Sequence, residues 1–311
     1  MDFQMIHPRR ILSRLRRTIP VRNIVLLPVP ARERLASNHA ADLRRRWPEE
    51  PTLEHPVSQL CTIHQFRQPY QELCRSFGEI PRVHRKQWEF AYILQALRQS
   101  GALQNKARGL GFAVGREPLP SCFAAHGCEI VATDMAAEQA HKWARTNQYG
   151  GNIQAIWRPE LINWDDFERK VSFRVADMRE VPTDLSKFDF CWSSCALEHL
   201  GNLTTGLNFI KRSLYCLKPG GIAIHTTEFN LKSNYRTEET GDTVIYREND
   251  ILKLTDELQR KGFKIDLNLN PGSHVLDDYI DTVDDAELHT RCNNHNKITS
   301  TSIGLIIRKC A

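Results

Sequence analysis

No stretch of this chain comes near the roughly 18 consecutive apolar residues of a membrane-spanning helix, so no such span is predicted. The first residues also lack the apolar core of a secretory signal. Nine cysteines are present, an odd number without framework spacing. That excludes a disulfide scaffold and predicts reduced thiols in a cytoplasmic setting. Cys191 and Cys195 fall in or beside a predicted buried strand, and position 198, where a radical iron–sulfur set would need its third cysteine, holds Glu198. His289-x-x-Cys292-x-x-His295 offers only three ligands in a polar loop, so no metal is predicted. Internal repeats and low-complexity tracts are missing as well. What is there is globular: 311 residues, 41% hydrophobic and 25% charged, enough for one α/β core with an added cap.

Basic charge is concentrated at one end. Residues 1–50 hold eleven arginines against five acids, while the remaining 31 basic and 32 acidic residues nearly cancel. Ile11, Leu12, Leu15 and Ile19 recur at helical spacing among Arg9, Arg10, Arg14, Arg16 and Arg17, up to Pro20. Three readings stay open for this arm. It is a solvated basic arm, a helix on an acidic membrane surface, or a mitochondrial presequence. Pro48, Pro51 and Pro56 mark a linker into a helical preface. In that preface 57–78 reads as helix with a break at Gly78, and Trp88, Tyr92, Ile93, Ala96 and Leu97 form an apolar helical stripe ending near Gly101. The predicted division is therefore an arm (1–50), a helical preface or cap (51–104) and a core (105–311) whose 270–296 stretch is a candidate lid.

Within the core, four cues follow in order. Gly109-Leu-Gly-Phe-Ala-Val-Gly115 is a strand breaking into glycines ahead of a helix, which lets backbone approach a ligand and aims helix-start N–H groups at it. Glu129-Ile-Val-Ala-Thr-Asp134 is an apolar strand ending in a carboxylate suited to ribose hydroxyls. Phe188-Asp-Phe-Cys-Trp-Ser-Ser-Cys-Ala-Leu-Glu-His-Leu200 is a third strand opening onto polar residues, and Leu217-Lys-Pro-Gly-Gly-Ile-Ala-Ile-His225 is a turn into a fourth. The dinucleotide fingerprint would need glycine at position 114, which is valine, and this counts against a nicotinamide or flavin cofactor.

Over about residues 105–265 the chain resembles the class I S-adenosylmethionine-dependent methyltransferases. The resemblance implies a Rossmann-like, doubly wound, mostly parallel seven-stranded sheet with an antiparallel last strand, plus an N-terminal helical cap. Aligned on Asp134, the family's G-x-G-x-G turn falls on Ala113-Val114-Gly115-Arg116-Glu117, so Ala113 and Glu117 replace the outer glycines and Gly111 stands where the family has an acid. The resemblance assigns S-adenosyl-L-methionine to Gly111, Gly115, Arg116, Glu117, Asp134, Asp177, Met178 and Ser194. Glu117 and Arg116 are placed at the amino and carboxylate groups of the cofactor's methionine end, or are surface charges at a helix start. Asp177 and Met178, which end strand Val171–Val175, are assigned to the adenine.

Ligands of open α/β sheets sit at the carboxyl ends of the strands, so Ser194, Cys195, Glu198 and His199 are expected to meet the acceptor. His199 is the candidate general base for an alcohol acceptor, with Glu198 orienting it or binding a hydroxyl. The alternative is a histidine that caps the following helix. Glu228 and Asn230, which end the fourth strand, and Tyr279 and Asp281 in the lid, are candidate substrate contacts; turn capping is the competing role for Asn230. Strand 263–269 and a last strand, 302–308, are expected to pair antiparallel.

Ser193-Ser-Cys-Ala196 stands where base-methylating enzymes carry Asp/Asn-Pro-Pro-aromatic, no Pro-Cys nucleophile is in place, and the core is not basic, so no nucleic-acid partner is expected. A looser likeness of Gly115–Pro120 and His225–Asn230 to bacterial methyltransferases of sugar and polysaccharide synthesis points to O-methylation of a sugar or similar small polar acceptor. The rival is a non-catalytic protein of the same fold that binds partners through its arm and cap.

Overall fold

The computed structural model describes residues 37–280, 290–294 and 296–310. Most of the arm, Asp281, His289 and His295 lie outside them. In chain order the first half carries helix α1 (Asn38–Arg46), strand β1 (Ser58–Leu60), α2 (Tyr70–Ser76), α3 (Arg85–Gln99), β2 (Arg108–Phe112), α4 (Leu119–Ala125) and β3 (Glu129–Asp134). Three short helices follow, α5 (His141–Arg145), α6 (Ile153–Ile156) and α7 (Trp164–Lys170), before β4 (Val171–Val175) and β5 (Phe188–Ser194). The second half holds β6 (Gly201–Asn202), α8 (Leu203–Ser213), β7 (Leu217–Asn230), β8 (Thr240–Gly241), α9 (Glu248–Arg260), β9 (Phe263–Lys264), β10 (Leu267–Asn268), β11 (Cys292–Asn293) and β12 (Thr299–Lys309).

The central sheet runs β4-β3-β2-β5-β7-β12. Its first five strands are parallel, and β12 runs antiparallel to β7 from Ser300 opposite Asn230 to Arg308 opposite Ile222. The order reverses between β2 and β5, where a doubly wound sheet opens its ligand crevice. This is the α/β, Rossmann-like arrangement expected from the four cues.

The far edge differs from expectation. Among the described residues the sheet has ten strands, because the predicted strand 263–269 breaks at Ile265-Asp266 into β9 and β10 and because β1 and β11 are added to it. Residues 58–60, read as helix, instead form β1, which pairs antiparallel to β12 and parallel to β10. Helical spacing misled there because Leu60 and Cys61 are buried by pairing with the edge of β12, a long-range contact that local periodicity does not encode. Residues 58–60 of the preface are thus part of the sheet. The arm boundary shifts too: α1 is docked on the core, where Arg46 pairs with the buried Glu248 and Arg44 with Asp278 at 2.6 Å.

Strand β2 shows how the faces are built. Leu110 and Phe112 point to a core shared with Phe209, Ile210 and Leu254. Its alternate residues, Gly109 and Gly111, lie against Phe190 and Trp192 of β5, which belong to the opposite core with Trp88, Tyr92 and Phe123. A Cβ on Gly109 would sit 2.4 Å from Phe190, and one on Gly111 would sit 2.5 Å from Trp192. Two of the three glycines in the first cue therefore admit aromatic rings.

Candidate active site

At the end of β2 the chain turns through two left-handed residues, Ala113 (φ 47°) and Gly115 (φ 53°), before α4. Of the three glycines in the first cue, only Gly115 lies in the turn itself. Gly111 is inside β2, beneath Trp192, which corrects its assignment to the cofactor. Gly115 donates its N–H to Asp134 Oδ2 at 3.0 Å. Asp134 is buried at the end of β3; burial pushes its carboxyl up, against the pull of N–H groups from Met135, Gly115 and Gly150.

Arg116 is exposed and donates to Asn147 Oδ1 at 2.6 Å. Glu117 turns inward: Oε1 accepts the indole N–H of Trp192 at 2.5 Å, and burial pushes its carboxyl up to about 8. It is neither the surface charge nor the open carboxylate read from the sequence. A small residue at Gly111 made room for the indole, and the indole captured the acid. On the other flank Asp177 is held by Arg179, whose guanidinium keeps its carboxyl below the usual range, while Met178 is buried beside it.

The turn after β5 is strained as well, with Cys195 at φ 49°. Non-glycine residues in this region collect at functional sites. The strain is held by Thr226, whose Oγ1 and carbonyl both accept the Cys195 N–H. Beneath the turn lies a buried polar network that the sequence reading missed. Glu89, fully buried on α3, accepts from Ser194 Oγ of β5 (3.1 Å), Thr226 Oγ1 of β7 (3.0 Å) and Ser302 Oγ of β12 (2.6 Å). Burial alone would raise its carboxyl, but Lys86 and Arg85 outweigh that and hold it below the ordinary value. One signal was available: Glu89 shares a helical face with Ile93 and Ala96, and two cations lie three and four residues before it.

Glu228 pairs with Arg85 at 2.5 Å and accepts Ser300 Oγ at 2.6 Å. Ligand-type atoms of Cys195, Glu198 and Glu228 lie within 4.8 Å of one another. The Arg85 guanidinium, 3.8 Å from Cys195 Sγ, already supplies the positive charge of that cluster. Glu198 is fully buried, with Oε2 accepting Thr227 Oγ1 at 3.0 Å and Oε1 unpartnered; burial raises its carboxyl. It does not orient His199. The Nδ1 of His199 instead lies 2.7 Å from the carbonyl oxygen of Asp242, and its ring meets Trp143 edge-on at 4.6 Å.

Asn230 is a correction. Its Oδ1 accepts from Lys232 and Ser233 N–H, and its Nδ2 donates to the Arg236 carbonyl and Thr237 Oγ1. With all four positions used on the following loop, nothing is left for a substrate. Tyr279 follows a short helical turn whose Asp277 forms a fully buried pair with Arg291 at 3.1 Å. It is not brought against His199 by any contact of the described residues. The candidate lid is likewise part structure, since β11 pairs with the start of β12.

Residues 110–225, from β2 into β7, match the family model described as a methyltransferase domain. No curated protein matches the chain in sequence. Among solved structures it is similar to an S-adenosylmethionine-dependent methyltransferase from Mesorhizobium loti (15% identity over 68% of this chain and 95% of that one, TM-score 0.43). It is also similar to magnesium protoporphyrin IX methyltransferase from Synechocystis PCC 6803 with bound S-adenosylhomocysteine (13%, 78% and 96%, TM-score 0.44). A third is 1,6-didemethyltoxoflavin-N1-methyltransferase from Burkholderia thailandensis (15%, 70% and 79%, TM-score 0.37). Among the described residues no helix is long and apolar enough to cross a membrane.

Proposed function

We propose that the protein transfers a methyl group from S-adenosylmethionine to a hydroxyl of a small polar acceptor, a sugar being the favoured class. The methyltransferase-domain match over 110–225 supports the reaction type. The observation that carries the acceptor chemistry is His199. A carbonyl oxygen only accepts, so the 2.7 Å contact with Asp242 puts the proton on Nδ1 and leaves Nε2 with a free lone pair.

The chain's residues fit the cofactor in kind. Asp134 is a buried carboxylate at the end of the second parallel strand, Gly115 forms the adjoining turn, and Asp177 and Met178 follow the third. When bound, S-adenosylmethionine supplies an electrophilic methyl on a sulfonium, a displacement that needs alignment above all. Asp134 would hold the ribose, and Ser194 and the strained Cys195 turn shape the floor of the crevice. Nε2 of His199 takes the acceptor's proton as its oxygen gains the methyl. The Asp242 carbonyl keeps the imidazole in place and stabilises the imidazolium.

A second reading has one observation behind it. The Asp134 carboxylate is already met by three backbone amides, as in a fold-only protein that has given up its ligand. Calorimetric titration with S-adenosylmethionine separates the two. Binding to the wild type that is lost in Asp134→Ala supports the enzyme, and no binding to either protein supports the non-catalytic reading.

A further inference from the structure

The segment from Ala136 to Gly151 follows β3 and crosses the point where the strand order reverses. On one side it lies on the cofactor turn. A Cβ on Gly115 would meet Gln148 O at 2.6 Å, one on Gly150 would meet Gly115 O at 1.7 Å, and the Gly150 amide reaches Asp134. Arg116 holds Asn147, and Tyr149 Oη donates to the Met135 carbonyl at 3.0 Å. On the other side Lys142 pairs with Asp242 at 3.0 Å, and Trp143 lies edge-on to His199. The strap therefore spans from the ribose-type acid to the base and fills the cradle between them.

Its anchoring is unequal. The Lys142–Asp242 pair is exposed on both partners, and α5 buries none of its side chains. Exposed ion pairs contribute little, and segments with few buried contacts open first. The inner end is different, since Gly115 and Gly150 are in backbone contact that any added atom would break.

We propose that residues 136–151 are a gate over the cofactor crevice. It is shut in this conformation by Lys142–Asp242 and Trp143–His199, and with its inner end at Gly150 as the hinge the outer half must swing out before S-adenosylmethionine can enter the crevice between Asp134 and His199. This rests on the cofactor reading above. Because the open state is the one that binds, weakening the outer latch raises the competent fraction and hence the observed association rate.

The test uses the full chain and S-adenosylhomocysteine as the probe. Association rates are measured by surface plasmon resonance for wild type, Lys142→Ala and Trp143→Ala, with Lys142→Arg as the conservative control. Tryptic cleavage after Lys142 and Arg145 is followed in parallel with and without the probe; Trp143→Ala keeps both cleavage sites. The gate predicts a wild-type rate that levels off at high probe concentration and rises about threefold or more in both alanine variants. Lys142→Arg should behave as wild type, and the probe should change the cleavage rate. Equal rates that grow linearly with concentration, with unchanged cleavage, overturn the gate and leave the cofactor reading standing. No binding to any of the four proteins overturns both.

Discussion

His199 and Asp242 are tied by a hydrogen bond from imidazole Nδ1 to a main-chain carbonyl oxygen, 2.7 Å away and 43 residues on in the chain. The partner of the candidate base is a backbone atom of the loop after β8, and the neighbouring Glu198 faces the other way, into the β7 layer. Orientation by a carbonyl cannot be removed by changing the Asp242 side chain. The ring's geometry should therefore survive Asp242→Asn, while the Lys142 latch should not.

His199→Gln should lower kcat for a hydroxyl acceptor by about 10²–10⁴, the usual contribution of a general base. Calorimetry should find S-adenosylmethionine binding within about twofold of wild type. A matched loss of both would place His199 in cofactor binding.

Glu89→Ala removes the buried carboxylate that Lys86 meets at 3.4 Å and leaves three hydroxyls without their acceptor, while Arg85 keeps Glu228. Breaking a buried ion pair costs about 3–5 kcal/mol. At about 2–4 °C per kcal/mol for a chain of this size, Tm should fall by about 10 °C. Thermal unfolding followed by circular dichroism checks this, and Glu89→Gln should recover part of the loss because it keeps an acceptor for the hydroxyls.

Two buried groups should set opposite limbs of the stability–pH curve. Burial raises Glu117 from 4.5 to about 8, so the unfolded chain releases its proton first, and stability falls as pH rises between those values. His225, enclosed between Ser193 and Ser213, is lowered by burial from 6.5 to about 3, so stability falls as pH drops below about 6.5. Glu117→Gln should raise Tm by about 5 °C at pH 8.5 relative to wild type and change it little at pH 4.5. A Tm difference that does not vary with pH would count against the buried neutral acid.

Gly111→Ala drives a methyl to 2.5 Å from the Trp192 ring and from Val114. Overpacking of this kind costs about 1–3 kcal/mol, seen as a lower urea midpoint with an unchanged slope. Calorimetry on the folded variant should show unaltered cofactor affinity, since this glycine spaces aromatic rings and is not in the turn.

Much of the fold was legible along the chain because it is written in contiguous runs. Strands β2 to β5 and β7 are apolar segments bounded by turn residues, and their order alone implies a parallel sheet with a switch point between β2 and β5. Asp134 is visible in the same way because it ends β3, and Gly115 and His199 lie in the turns that follow β2 and β5.

What only the tertiary structure decided are the pairings between distant residues. β1 reads as helix locally and becomes a strand because β12 offers an open edge. Asn230 carries the right chemistry for a sugar but is saturated by its own loop, and Glu117 is taken by an indole 75 residues away. Helical spacing connects Glu89 to its two cations, but no spacing rule connects it to the three strands whose hydroxyls it gathers. The strap lies on Gly115 because main chain meets main chain there, and backbone contacts leave almost no trace in side-chain identity. Sequence sets which chemical groups exist and which face of an element they occupy; packing sets which of them still have a free hydrogen-bonding position, and that decides what can bind.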